Sequence, residues 1–205
     1  FSADGNACWQ KMIISGAALY RNLPEALNIV SDLISAGDLS NEARMFDLIA
    51  ERKNNLQSAI VPSGHIFARR TAGAALTLPA YRDEQWNGRT QLRFIQQTAR
   101  CYSSIKKELA EKLAQLKKMI FSRDNLLLNI TADKSGLDIA ENNIHGLLNK
   151  LPATVNKQPQ TPPLLPQVFA GIVVPAQVSY VARVLRAPSY IDPVAALLMV
   201  ASREL

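Results

Sequence analysis

The strongest periodicity in the chain lies at residues 102–120. Ile105, Leu109, Leu113, Leu116 and Ile120 recur every three or four residues, a single apolar stripe of an α-helix. An earlier helix opens at Asn22, Leu23 and Pro24. Asn22 or Leu23 stands at the cap, and Pro24 sits in the first turn, where a missing N–H costs nothing. Leu23, Leu27, Val30, Leu33 and Ile34 give this helix one apolar face as far as Gly37. Ser40 is the expected cap of the next helix, with Glu42 near the positive end of its dipole and a face of Ala43, Phe46, Ile49 and Leu56. Pro62-Ser63-Gly64 interrupts it. A helix rich in small residues follows at 65–76, then a connection at 78–83 and a further helical pattern at 86–98. Thr131 or Asp133 caps another helix, with Leu137, Ala140, Ile144, Leu147 and Leu148 on one face and Pro152 as its stop. Asp192 caps a last, apolar helix with Pro193 at its first position, expected to run to Leu205.

Four segments carry β-type patterning instead. Residues 9–19 mix β-branched and apolar side chains, and 126–131 read as a buried strand. Residues 168–174 and 177–186 read as two more, the second alternating Val178, Tyr180, Ala182 and Val184 with Ser179 and Arg183. Between them, residues 152–167 hold five of the eleven prolines, one charge and no glycine, the composition of a semi-stiff linker. The 38 residues beyond it are too few to close a core alone. Together with the abrupt start at Phe1, this leads us to expect a fragment, cut inside a second domain.

At 205 residues, 48% hydrophobic and 20% charged, the composition is that of a globular chain. The longest unbroken apolar run, residues 194–201, is far short of the roughly 20 needed to span a bilayer. The net charge of +6 is spread thinly: residues 1–151 carry 19 basic and 15 acidic groups, and 152–205 carry four and two. The basic face of the 102–120 helix, with Lys106, Lys107, Lys112, Lys117 and Lys118 against Glu108 and Glu111, could serve a nucleic acid or an acidic partner. Ordinary solvation and i,i+4 pairing account for it better, because no aromatic residues interleave for base stacking. Cys8 and Cys101 lie far apart in sequence and form neither a disulfide framework nor a zinc ribbon; two isolated thiols fit a reducing compartment. No secretory signal is visible at the start.

Candidate chemistry is sparse. The two histidines, His65 and His145, are 80 residues apart, and neither has a Glu at metal-ligand spacing. No phosphate-cradling glycine motif or serine elbow occurs. Ser63 and His65 place a hydroxyl near an imidazole, but a catalytic pair needs a third, orienting group.

Other residues carry a resemblance. The run Ser63-Gly64-His65-Ile66-Phe67-Ala68-Arg69-Arg70 with its alanine-rich continuation to Ala75 is similar to a segment of the insulinase/pitrilysin zinc metallopeptidases, in their presequence-protease branch. Phe121-Ser122-Arg123-Asp124-Asn125, the Leu147-to-Pro152 ending, and Val173-Val174-Pro175-Ala176-Gln177-Val178-Ser179-Tyr180-Val181-Ala182 resemble further family segments in the same order. The resemblance implies two similar halves closing like a clamshell on an unfolded peptide, with an inverted H-x-x-E-H zinc motif in the first half only. This chain resembles part of the second, metal-free half, so no catalytic, cofactor-binding or metal-binding residue is expected in it.

The resulting expectations are these. The fold class is α+β: an antiparallel-rich sheet packed with helices, a helix-rich central region, and an incomplete second α+β domain at the C-terminus. Residues 1–151 form the late part of the third family domain, 152–167 the linker, and 168–205 the start of the fourth. The segment encloses substrate and is not itself an enzyme; the parent protein is a zinc metalloendopeptidase. Its partners are the N-terminal catalytic half and unfolded peptide, without nucleic acid or membrane. The compartment is the cytoplasm or another reducing one, an organelle matrix in a eukaryote. The alternative is a stand-alone helical module that binds nucleic acid or an acidic partner.

Overall fold

The computed structural model describes residues 10–153, 171–174, 177–189 and 191–202. Among them the regular elements are helical: α1 (Leu23–Ser35), α2 (Glu42–Ala59), α3 (Gly64–Gly73), α4 (Leu78–Asn87), α5 (Arg89–Ile120), α6 (Lys134–Lys150) and α7 (Pro193–Ala201), with 3-10 turns at Tyr20–Asn22 and Arg123–Asn125. The expected α+β architecture is therefore corrected: the described residues contain no β-strand and no sheet.

The reason is visible segment by segment. Described residues 10–19 are exposed throughout and join no ladder. Residues 126–131 are not buried as expected; Leu127 is 81% exposed, and Leu126 and Ile130 are half-buried, Leu126 packing against Ile34, Leu147 and Leu151. Residues 171–174 and 177–189 likewise form no ladder, and 168–170 lie outside the described residues. β-Propensity measures fit to a half-covered surface more than an intrinsic backbone state. A segment with no strand beside it keeps the composition without forming a sheet.

Two compact units make up the described chain. The first holds Gln10, residues 46–102 and the described residues from 171 onward. Leu56 of α2, Phe67 of α3 and Leu92 of α5 form its core, with Ala59 and Ile60 packed against them. Burying side chains of this size contributes about 1.5–3 kcal/mol each. The Phe46 and Tyr102 rings meet at 5.3 Å with a 47° tilt. The connection expected at 78–83 is helical instead. Thr77 Oγ1 accepts from the Ala80 N–H at 3.3 Å, and Pro79 stands in the first turn, so the start of α4 is locally encoded.

The second unit holds residues 11–45 and 103–153. There α1 packs on α6, and Ile34, Leu147 and Leu151 form the core with Val30, Phe121 and Leu126. Asp133 caps α6, its carboxylate accepting from the Gly136 N–H at 2.7 Å. Asn41, one residue beyond the expected Ser40, caps α2 by accepting from the Arg44 N–H at 2.9 Å. The end of α5 is tied to the end of α6: the Arg123 N–H and Nε donate to the carbonyls of Pro152 (3.1 Å) and Leu151 (3.2 Å). The pattern expected at 86–98 is split, with Trp86 and Asn87 ending α4, and the rest fuses with 102–120 into the 32 residues of α5, about 48 Å long. Asp192 caps α7 as expected, but the helix ends at Ala201 instead of running on. Most of the proline-rich linker at 152–167 lies outside the described residues.

Candidate functional site

The densest polar cluster lies in the first unit, where α3, α4 and the start of α5 meet. Arg70 Nε donates to Asp83 Oδ2 at 2.7 Å, and its Nη1 reaches the Asn87 carbonyl at 3.2 Å. Asn87 Nδ2 donates to the other Asp83 oxygen at 2.9 Å. Burial pushes the Asp83 carboxyl up, but the hydrogen bonds from Asn87 and Arg70 and the charges of Arg70 and Arg69 outweigh it. The group is held below the usual carboxylate range. Beside it, Glu84 is 3% exposed and accepts from the Thr90 N–H at 3.1 Å, satisfying a donor in the first turn of α5. Gly88 makes this possible, since a Cβ there would stand 2.7 Å from the Glu84 carbonyl and 2.9 Å from its carboxylate. Arg52 Nη2 donates to the Trp86 carbonyl at 3.3 Å. Apart from the Asn87–Asp83 bond, which lies within α4, these contacts tie one helix to another. The cluster is a structural joint.

In the second unit an open groove of about 980 Å³ is lined by buried Ile34 and Leu151, half-buried Phe121, and Lys117, Lys118 and Lys150. Lys117 Nζ donates to the carbonyls of Ser35 (3.0 Å) and Gly37 (2.8 Å), satisfying acceptors at the end of α1. Lys150 pairs with Asp32 at 3.1 Å. Asp38 accepts from the Ser40 N–H at 2.7 Å, and its hydrogen bonds with Ser40 lower its carboxyl from the ordinary value.

The basic face of α5 is largely engaged within the chain. Lys106 meets Glu42 at 2.6 Å and Lys112 meets Glu108 at 2.6 Å, while Lys117 binds the carbonyls of Ser35 and Gly37. The Lys112 hydrogen bond and charge also lower the Glu108 carboxyl. Such pairing is what a solvated helix face shows.

Neither histidine joins a metal-ligand set. His65 and His145 are exposed and belong to different units. Among the described residues, no three His, Cys, Asp or Glu side chains converge to hold a metal ion, so these residues do not fit a zinc centre. Ser63 is half-buried at the start of α3, and the His65 ring lies beside Tyr180 at 6.3 Å instead of an orienting carboxylate. Cys101 is exposed, and Cys8 lies outside the described residues. No described helix is long and apolar enough to cross a membrane.

The structure does join two of the motifs that carried the family resemblance. Tyr180, from the 173–182 run, donates its hydroxyl to the Val61 carbonyl and lays its ring over Gly64 of the 63–70 run. Sequence reasoning named both segments but had no means of pairing them.

Comparison with known proteins finds similar sequences. Residues 2–97 match the family described as peptidase M-16C associated. A mitochondrial presequence protease of Danio rerio is 30% identical over 127 residues, covering 61% of this chain and 12% of that protein. Presequence protease 1, chloroplastic/mitochondrial, of Arabidopsis thaliana is 22% identical over 174 residues, covering 84% of the chain and 16% of the relative. The mitochondrial presequence protease of Aspergillus fumigatus is 27% identical over 205 aligned residues, covering 93% and 19%. In these three comparisons the chain spans only 12–19% of the length of the curated relatives it matches. Residues 2–97 are thus similar to a peptidase-associated family, and most of the chain's length is similar to a segment of the presequence proteases.

Proposed function

We propose that this chain is a non-catalytic segment in the second half of a zinc-dependent metalloendopeptidase that degrades unfolded peptides inside a closed, clamshell-like chamber. Its role there is to build the chamber wall and to enclose substrate against the catalytic half of the same protein. The observation that carries this reading is the match of residues 2–97 to a peptidase-associated family, extended by presequence proteases across most of the remaining chain. Zinc belongs to the partner half in this reading. The associated domain assignment is residues 1–151 for the late part of the third domain, 152–167 for a linker and 168–205 for the start of the fourth. The compartment is a reducing one, an organelle matrix in a eukaryote, as the mitochondrial and chloroplastic names of the relatives suggest.

The test has two arms. The 205-residue chain, dialysed and assayed with a fluorogenic peptide, is expected to hold no stoichiometric zinc and to cleave nothing. One tightly bound zinc per chain with chelator-sensitive cleavage overturns the reading. In the full-length protein, deletion of residues 2–97 is expected to abolish peptide cleavage while zinc content stays at one per chain. Undiminished cleavage after that deletion also overturns it.

A further inference from the structure

We infer that residues 177–189 form a strap seated on α3 in one fixed register, with Tyr180 as its latch. Three contacts in the first unit define the register. At the start of α3, the Tyr180 hydroxyl donates to the Val61 carbonyl, and its ring covers Gly64 so closely that a Cβ there would clash with the ring carbons. At the end of α3, Val184 Cγ1 lies 3.9 Å from where a Gly73 Cβ would stand. Just beyond, Arg186 Nη2 donates to the Leu76 carbonyl at 3.4 Å.

The lengths agree. The nine steps from Gly64 to Gly73 rise about 14 Å along α3, and four residues of extended chain cover about 13 Å. The strap therefore follows α3 in the same direction, end to end. Exposure has the matching period of two: Tyr180, Ala182 and Val184 are half-buried, while Val181, Arg183 and Leu185 are exposed. The expected alternation holds from Tyr180 to Leu185 but not at Val178, which is 58% exposed, and the surface that covers it is a helix. This inference is independent of the proposed peptidase role.

The register can be read by cross-linking the full chain with Cys8 and Cys101 replaced by Ser. A cysteine at Gly73 meets only ordinary contacts, at 3.8 and 3.9 Å, so the substitution is tolerated. Gly73→Cys with Val184→Cys is expected to form a disulfide under mild oxidation at least tenfold faster than Gly73→Cys with Val181→Cys, whose position 181 faces away and is 92% exposed. Equal rates, or a faster 181 pair, overturn the register. The latch is read by native-state trypsin cleavage after Arg183, which tracks the open fraction of the strap. Tyr180→Phe keeps the ring and removes one hydrogen bond, so cleavage is expected to rise about fivefold with helix content unchanged. Unchanged cleavage in Tyr180→Phe, with the same outcome in Tyr180→Ala, overturns the latch.

Discussion

At the scale of single residues, side chains that sequence inspection passes over hold the first unit together. Asp83 receives Arg70 and Asn87 at once, and its acidity is raised because those partners outweigh its burial. The sign follows from linkage. A carboxyl with a lowered folded-state pKa contributes stability above its unfolded value, near about 3.9, and loses that contribution as pH falls through the folded value. Asp83→Asn is therefore expected to be less stable than the parent chain at neutral pH, with the gap closing below about pH 4. Urea titrations at several pH values check this, and a gap that persists at low pH contradicts it. Glu84 and Gly88 form a second dependence. Gly88→Ala would force a methyl against the Glu84 backbone, so it is expected to cost about 1–3 kcal/mol, measured by chemical denaturation. Nothing in the sequence marks Asp83 or Glu84, since a charge on a helix gives no sign of which neighbour it will meet.

At the scale of elements, helix starts were the most legible feature because cap chemistry is local. Asp133 and Asp192 each accept from a backbone N–H two or three residues ahead, as their positions suggest. The start of α2 shows the limit of that reading. Ser40 and Asn41 are both good caps by residue type, and only the backbone path decides that Asn41 bonds the Arg44 N–H. Asn41→Ala is expected to cost about 1 kcal/mol and Ser40→Ala a few tenths, measured by thermal or urea unfolding. Equal costs would restore Ser40 as the cap. The helix α4 was missed for a different reason. It lacks an apolar stripe, and its buried residue is the charged Glu84, so periodicity gave no signal even though Thr77 and Pro79 announced its start.

At the scale of the molecule, the first unit leaves a large apolar surface in water. In α7 Ala195 is buried, whereas Val194, Leu197, Leu198, Met199 and Val200 are between 43% and 69% exposed. Exposed apolar patches of this kind promote association. The isolated chain is expected to self-associate with rising concentration in sedimentation experiments and to bind an apolar dye. Leu197→Glu with Val200→Glu is expected to return it to monomer with unchanged helix content. A monomeric parent chain without dye binding would contradict the expectation.

The sequence by itself determined most helix starts, the break at Pro62 to Gly64, the stripe of α5 and the family resemblance. All of these rest on interactions between residues near in sequence, or on runs preserved in order. It also suggested that residues 177–186 alternate between a covered and an uncovered side, which the structure shows from Tyr180 to Leu185, while Val178 is exposed. What covers that side was a tertiary matter. Alternation specifies that every second side chain meets a surface, and a helix with glycine at both ends meets that requirement as a neighbouring strand would. The expected sheet failed on that ambiguity. The Tyr180–Gly64 contact, the Arg70–Asp83–Asn87 joint and the engagement of the α5 lysines depend on groups brought together only by folding, and one-dimensional patterns carry no distance between them.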